Sequence, residues 1–183
     1  GGLWVAGADL AGPPRVWHVD TRKPMSGGVP RRVDTPWLGE RRIIAIKVAR
    51  DGQRVALVTR TAQGVDQVLI SGVTRAADGR PTGLAVPLEL GGSLVQVGDI
   101  AWVSAYQLVV IGRTAQEKAM RPLLVGLGGS IGDLAVLGEA RSLATVGDLR
   151  GLLVQTSNGR IFAPAGGGWQ EVASANDLVV PGG

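Results

Sequence analysis

The fold is decided by one stretch, residues 42–73, which reads RIIAIKVARDGQRVALVTRTAQGVDQVLISGV. It predicts three short strands, Ile43 to Val48, Val55 to Thr59 and Gln67 to Ile70. Asp51-Gly52 joins the first two, and Asp-Gly between β-branched runs favours a tight hairpin because glycine adopts positive φ without a Cβ clash. The second strand is apolar without alternation, so it must be covered on both faces. We therefore expect this small antiparallel sheet to lie between two others.

Similar groups of strands recur along the chain. One is IAWVSAYQLVVIGR, which begins at Ile100 and replaces the Asp-Gly turn with Ser104 to Gln107. A looser copy begins at Leu143 and contains Asn158-Gly159, another hairpin signal, and a partial copy contains Leu3-Trp4-Val5. Four-stranded units that repeat every ~40–55 residues are typical of β-propeller blades. We predict an all-β fold, a partial β-propeller of about four blades with antiparallel four-stranded sheets, and a β-sandwich with irregular hairpins as the alternative.

The repeat predicts a single propeller domain over residues 1–183, with blades at approximately 1–40, 42–92, 94–139 and 141–175. The first blade is expected to be incomplete and to lack its inner strand. The only helical signal covers Thr114 to Met120, and Pro122 would stop it within two turns.

The ends of the partial propeller, which forms an arc of blades, leave two alternatives. The arc stays open and exposes apolar blade faces, which would favour self-association, or Leu178-Val179-Val180 closes it by pairing with Leu3-Trp4-Val5. Because the chain opens at Gly1 within a blade and without an initiator Met, we expect a fragment whose N-terminal domains belong to a longer parent protein.

The composition restricts the chemistry that the chain can perform. With 183 residues, 45% of them hydrophobic, the chain is long enough for a sizeable core, and no apolar run approaches the ~20 residues of a membrane helix. The absence of cysteine excludes disulfides, thiolate zinc sites and cysteine nucleophiles. The single histidine, His18, cannot build a histidine-rich metal site. We predict no cofactor.

One segment, Gly128-Gly129-Ser130-Ile131-Gly132, matches the sequence pattern of a catalytic motif, G-x-S-x-G. That motif needs a helix after it and a histidine late in the chain, and neither is present, so a glycine-rich turn is expected. Asp99, Asp133 and Asp148 follow glycine and could form a ring of carboxylates around a cation, or simply mark turns at which strands begin. We predict that the protein is not an enzyme and assign no catalytic residue.

A basic stretch precedes the first complete blade and dominates the net charge of +4. Such a patch suits an acidic protein or an anionic surface, or is a solvated loop face. Nucleic acid is not expected, because aromatic residues are only 4% of the chain and are not interleaved with the basic ones. Arginine and tryptophan are favoured at binding hot spots, so the candidate partner-binding residues are Arg31, Arg32, Trp37, Arg41 and Arg42.

These blade patterns resemble a known family. The runs DTPWLGERRIIAIKVARDGQRVALVTR and VGDIAWVSAYQLVVIGR, together with the ending NGRIFAPAGGGWQEVA, are similar to the C-terminal β-propeller region of LpqB, an actinobacterial lipoprotein family. The resemblance extends from Leu3 to Pro181 and contains no catalytic signature.

The resemblance implies a function and a location. Members are anchored outside the plasma membrane by a lipid-modified N-terminal cysteine, followed by a GerMN-type domain and the propeller. They are regarded as accessory to the MtrA–MtrB two-component system, which bears on the cell wall and division, through contact with the extracytoplasmic part of the histidine kinase MtrB. For this chain we expect such a partner, and a membrane link only through a lipid anchor on the parent. The alternative is a propeller that senses cell-wall carbohydrate or lipid intermediates.

Overall fold

The structure is a computed structural model that describes residues 2–7, 12–21, 28–135 and 138–175. In this part of the chain the backbone forms four antiparallel β-sheets and one short 3₁₀ helix, Leu149–Gly151. The all-β prediction is therefore confirmed, and successive sheets stack side by side as in a partial β-propeller. The predicted strand formed by Leu178-Val179-Val180 lies outside the described residues.

The strands follow one another along the chain from sheet to sheet. Sheet 1 contains β1 (Leu3–Gly7), β2 (Arg15–Val19) and β3 (Arg31–Val33). Sheet 2 contains β4 (Arg42–Val48), β5 (Arg54–Arg60), β6 (Asp66–Arg75), β7 (Pro81–Leu84) and β8 (Leu88–Leu90). Sheet 3 contains β9 (Leu94–Trp102), β10 (Gln107–Thr114), β11 (Arg121–Gly126) and β12 (Ile131–Asp133). Sheet 4 contains β13 (Ala140–Thr145), β14 (Leu152–Thr156), β15 (Arg160–Ala165) and β16 (Gly168–Ser174).

Strand β5 serves two hydrophobic cores at once. Val55 and Leu57 point into a cluster shared with sheet 1, whereas Ala56 and Val58 point into a cluster shared with sheet 3. All four side chains are fully buried, and full burial of each valine or leucine is worth about 1.5–3 kcal/mol. Successive residues of a strand face opposite sides of its sheet, so an apolar run without alternation is what a covered strand requires. The expectation that this sheet lies between two others is confirmed.

Strand β10 repeats the arrangement one sheet further along. Leu108 and Val110 contribute to the core between sheets 2 and 3, and Val109 and Ile111 contribute to the core between sheets 3 and 4. The cores therefore lie between the sheets, and each interior sheet is needed to bury the faces of both neighbours.

Sheet 2 departs from the expected four strands because its last strand is interrupted. β7 pairs with the end of β6 and β8 with its beginning, and residues 85–87 form the break between them. Pro87 has no backbone N–H with which to continue a ladder. Ser71 Oγ donates a hydrogen bond of 2.5 Å to the Ala85 carbonyl and satisfies the backbone at the break.

The weak helical signal at Thr114 to Met120 produces no helix, since Thr114 ends β10 and residues 115–120 form turns and bends. The segment is fixed there by polar contacts: the Thr114 amide donates to Glu117 Oε2 at 2.9 Å, and Arg113 Nη1 donates to the Glu117 carbonyl at 3.1 Å. Because these bonds stabilise the turns, the short segment gains little from adopting a helix.

Candidate partner-binding surface

Two of the predicted contact residues, Arg31 and Arg32, lie on strand β3. Arg31 pairs with His18 and Arg32 pairs with Trp17 on β2. Because neighbouring residues of a strand face opposite sides of the sheet, the two guanidinium groups lie on different faces of sheet 1. Both residues are exposed, and they do not form one continuous basic patch.

Trp37 and Arg41 stabilise the connection between sheets 1 and 2, residues 34–41, through hydrogen bonds. Trp37 is half-buried, and its Nε1 donates to the Leu84 carbonyl at 3.0 Å. Arg41 Nη1 donates to the Trp37 carbonyl at 2.7 Å, and its Nε donates to Gln67 Oε1 at 3.2 Å. The structure brings these two residues together as packing elements, and their role in binding a partner stays a prediction.

Arg42 is exposed at the beginning of β4. The other end of β4, from Ile46 to Val48, lines a cleft with Gly2, Trp4 and His18 of sheet 1. Lys47 lies five positions along the strand from Arg42, which is about 16 Å at roughly 3.3 Å per residue. The structure therefore does not bring Arg42 to this cleft.

The turns of sheets 2, 3 and 4 meet at one end of the molecule. Arg75 Nη2 donates to the Gly52 carbonyl at 2.5 Å, which joins the two turns of sheet 2. The Leu127 amide donates to the Tyr106 carbonyl at 3.0 Å, which joins the two turns of sheet 3. We call this end the turn face; it comprises residues 49–53, 76–80, 103–106, 127–130 and 146–151.

Contacts across sheet boundaries hold the turn face together. Trp102 Nε1 of sheet 3 donates to the Lys47 carbonyl of sheet 2 at 3.1 Å. The Arg50 guanidinium of sheet 2 lies against Gly147 of sheet 4, where an added Cβ would be 2.9 Å from Nη2. Gly147 also has φ of +99°, a conformation that side chains rarely adopt. The turn after β13 is therefore shaped to receive an arginine from another sheet.

An arginine and two aromatic rings form a cluster at the centre of the turn face. The Arg54 guanidinium carbon lies 5.6 Å from the Trp102 ring centroid and 5.7 Å from that of Tyr106. Both distances are within the range of cation–π attraction. Trp102 is buried, whereas Tyr106 is 71% exposed. This cluster was not predicted from the sequence, although a single tyrosine in a polar turn is a signal for it.

The turn face and the adjoining strand ends carry more positive than negative charge. The cations are Lys47, Arg50, Arg54, Arg75, Arg80 and Arg150, and the acids are Asp51, Asp78 and Asp148. Asp51 pairs with Arg54 at 2.8 Å, and this hydrogen bond is the main reason that the pKa of Asp51 is lowered. Among the described residues, no carboxylate lies within salt-bridge distance of Arg50, Arg75 or Arg150. Six cations and three acids leave a surplus of three positive charges, and Arg50, Arg75 and Arg150 are exposed to solvent.

Two interior carboxylates join neighbouring sheets. Asp66 on β6 binds Arg60 through both oxygens, at 2.6 and 2.9 Å, and accepts from the Val97 amide of sheet 3 at 2.9 Å. Asp99 on β9 accepts from its own neighbour Ile100 and from the Leu143 amide of sheet 4, both at 2.8 Å. Burial raises the pKa of Asp99, against the opposing effects of these two hydrogen bonds and of nearby Lys47.

The other candidate residues, Asp148, Ser130 and His18, lie in a helix cap, a turn and the interior respectively. Asp148 caps the 3₁₀ helix, accepting from the amides of Arg150 and Gly151 through the same oxygen. Ser130 lies in the turn between β11 and β12, as expected for a glycine-rich turn, and His18 is buried edge-on against Trp4. Within residues 2–7, 12–21, 28–135 and 138–175, no three His, Asp or Glu side chains gather as a metal site would require.

In the described part of the chain, no helix has the length and apolar character needed to span a bilayer. No solved structure was found to match the chain.

Comparison with known proteins identifies the family. The model of the "Lipoprotein LpqB beta-propeller domain" family matches residues 1–181. Lipoprotein LpqB of Streptomyces coelicolor is 30% identical over 190 aligned residues, which cover 100% of this chain and 29% of that protein. Lipoprotein LpqB of Thermobifida fusca is 38% identical over 102 residues, which cover 55% of this chain and 16% of that protein. The aligned region spans less than a third of the length of either relative. The family model covers this chain from its first strand to its last, and the chain belongs to the LpqB β-propeller domain family.

Proposed function

We propose that this propeller domain is a non-enzymatic binding module of an extracytoplasmic lipoprotein, and that it regulates the MtrA–MtrB two-component system by contacting the extracytoplasmic domain of the kinase MtrB. The lipid anchor belongs to the parent protein. The observation that carries the proposal is the turn face, because several sheets present their turns together on one exposed surface of a lipoprotein-family propeller.

Rigidity supports this role. The turns are borne by sheets whose cores are shared between neighbours, and tryptophan and carboxylate hydrogen bonds cross the boundaries. A surface that is already ordered loses less conformational entropy on binding than a flexible one, so more of the contact energy is retained as affinity. Loops held by a rigid scaffold are common sites of binding.

The test is a titration of this chain, and separately of its full-length parent, with the purified extracytoplasmic domain of the cognate MtrB. Saturable binding by the chain that weakens as salt is raised is the expected result, because salt screens exposed charges. Binding by the parent alone would assign recognition to another part of that protein. If neither binds, the kinase-contact function is wrong.

A second candidate function, recognition of a cell-wall carbohydrate or lipid intermediate, is favoured by one cleft. It has a volume of about 670 Å³ between sheets 3 and 4 and is lined by Leu134, Pro164, Trp169 and the Gly166-Gly167 turn, with Arg150 and Asp133 also present. Soluble cell-wall fragments that protect Trp169 fluorescence from quenching would support this function, and unchanged quenching would exclude it at this cleft.

A further inference from the structure

We propose that the turn face binds an acidic, extended segment of the protein partner, with Tyr106 and Arg54 at the centre of the contact. This inference rests on the proposed function, since it names the surface and the partner chemistry for the same binding role. It differs from the expectation drawn from the basic stretch, which placed the contact at Arg31, Arg32, Trp37, Arg41 and Arg42.

The centre of the surface is ordered before a partner arrives. Asp51 Oδ2 accepts from Arg54 Nη2 at 2.8 Å, and the rings of Trp102 and Tyr106 flank the same guanidinium. The Arg54 side chain is only 23% exposed, so Arg54 positions Tyr106 from below. Tyr106 itself projects into solvent. Tyrosine offers a large apolar ring and a hydroxyl at low entropic cost, and exposed aromatic residues of this kind are typical anchors of interfaces.

The charge around Tyr106 defines the partner. Arg50 and Arg150 are exposed without a described carboxylate partner, and Arg75 uses its guanidinium to bind the carbonyls of Gly52 and Gly79. The three acids of the turn face are engaged, Asp51 with Arg54, Asp78 with Arg80, and Asp148 with the helix cap. A partner with carboxylates would therefore meet unopposed positive charge, whereas a basic partner would be repelled.

The shape of the surface indicates an extended occupant. Arg50 reaches from sheet 2 to Gly147 of sheet 4, and the Tyr106 turn of sheet 3 contacts Leu127 on its own sheet and Arg54 of sheet 2. The cations thus come from sheets 2 and 4, on either side of the Tyr106 turn of sheet 3. A linear acidic segment can contact such a row of charges, which a compact anion cannot span.

The single tyrosine gives a direct test. Incorporation of 3-fluorotyrosine places one ¹⁹F nucleus in the chain, at position 106. Its resonance is followed while the extracytoplasmic domain of MtrB is added, and in a parallel titration while a deca-glutamate peptide is added. We expect a saturable change in chemical shift in both titrations, with weaker binding at higher salt. Deca-lysine is the control and should cause no saturable change.

Single substitutions test whether the kinase domain binds at the turn face. Arg50→Ser and Tyr106→Ser are each expected to weaken binding of the kinase domain about tenfold or more, as hot-spot residues do. Lys118→Ser also removes one exposed cation, from the turn between β10 and β11 at the other end of sheet 3, and should change affinity by less than about twofold. Tyr106 and Arg50 are exposed, so these variants retain the core.

The outcomes separate the two proposals. If the kinase domain binds without altering the Tyr106 resonance, and Arg42→Ser weakens binding while Arg50→Ser does not, the turn-face proposal is wrong and the kinase-contact function stands. If deca-glutamate shifts the resonance and the kinase domain does not bind, the surface is supported and the kinase partner is wrong. An unchanged resonance in both titrations, together with no binding of the kinase domain, overturns both.

Discussion

At the scale of single residues, the same local sequence performs two different tasks. Val97-Gly98-Asp99-Ile100 and Val146-Gly147-Asp148-Leu149 have the same pattern. Asp99 uses both carboxylate oxygens to join its own strand to sheet 4, whereas Asp148 uses one oxygen to cap a 3₁₀ helix. The pattern indicates an aspartate near a glycine, and only the tertiary structure decides which amides it meets.

We predict that Asp99→Asn lowers the free energy of unfolding by about 1–3 kcal/mol, because an amide has one acceptor oxygen and must direct an NH₂ group toward the second backbone N–H. Urea unfolding measures the effect. Asp148→Asn is the matched control and should cost less than about 0.5 kcal/mol, since asparagine is a good N-cap and the cap uses one oxygen. Equal losses in the two variants would contradict the role assigned to Asp99.

The effect of Asp99→Asn should also depend on pH. Burial raises the pKa of Asp99 in the folded chain, so the folded state binds the proton more tightly than the unfolded state. This contribution to stability is complete below the ordinary pKa of 3.8 and is lost as pH rises through the raised folded value. The difference in unfolding free energy between wild type and variant should therefore shrink as pH rises above about 4 and level off once the raised folded pKa has been passed.

The comparison of wild type with Asp99→Asn isolates the contribution of Asp99 to the pH dependence of stability. Asp51 and Glu171 have lowered pKa values through hydrogen bonds from Arg54 and Arg160, and they make stability fall as the solution becomes more acidic. Both carboxylates are present in wild type and variant, so their effects cancel in the difference. A difference that grew with pH would show that Asp99 is stabilised mainly as a carboxylate.

At the scale of strands, the backbone approaches closely where sheet 1 meets sheet 2. The Asp34 amide donates to the Thr82 carbonyl, and the Leu84 amide donates to the Asp34 carbonyl, at 2.9 and 2.8 Å. Gly83 lies between them in a parallel bridge. A Cβ at Gly83 would be 2.8 Å from Thr74 Oγ1 and 3.3 Å from the Asp34 carbonyl oxygen.

We expect Gly83→Ala to destabilise the chain by about 1–3 kcal/mol, because the added methyl group overpacks a boundary formed partly by backbone. Thermal unfolding followed by circular dichroism measures the change. Gly132→Ala on β12 is the control, since a Cβ there meets nothing within 4 Å. The substitution at Gly132 should be neutral or slightly stabilising, because alanine has less conformational freedom to lose than glycine.

Strands could be predicted from the sequence because their signal is local. The apolar runs of β5 and β10 and the turns Asp51-Gly52 and Asn158-Gly159 are short patterns whose meaning depends little on distant residues. Contacts between sheets could not be predicted in this way. Asp66 meets an amide 31 positions away and Asp99 meets one 44 positions away, and no spacing rule specifies such pairs.

The sequence does not show how the basic stretch is arranged in space, and its role in binding a partner stays a prediction. The basic stretch places arginines close together in sequence, but alternation along β3 separates Arg31 from Arg32, and Trp37 and Arg41 bond to the protein itself. The turn face draws its cations and aromatic ring from segments that are distant in sequence, so charge density along the chain did not reveal it.

At the scale of the whole molecule, sheet 1 presents apolar side chains on the face away from sheet 2. Leu3 and Val5 are 55% and 42% exposed, whereas Trp4 between them packs toward sheet 2. These observations keep open the prediction of self-association, whose alternative, closure by Leu178-Val179-Val180, involves residues outside the described part of the chain.

We predict that the chain self-associates at high concentration and that Val5→Thr weakens this association, because the substitution replaces a methyl group with a hydroxyl on the apolar face. Sedimentation velocity over a concentration series provides the measurement. Val86→Thr makes the same chemical change at a side chain that is 85% exposed in the break between β7 and β8, and it should have no effect. Monomeric wild type at every concentration would count against an open arc.

The tryptophan hydrogen bonds make intrinsic fluorescence a probe of the contacts between sheets. Trp37, Trp102 and Trp169 each donate an indole N–H to a carbonyl in a neighbouring sheet or connection, at Leu84, Lys47 and Leu134 respectively. Their emission colour therefore reports whether the sheets are still in contact, while far-ultraviolet dichroism reports whether strands persist. If heating or an acidic ligand separates the sheets before the strands unfold, the red shift in tryptophan emission will precede the change in circular dichroism. The interval between the two changes then shows over what range of conditions the sheets are separated but still folded.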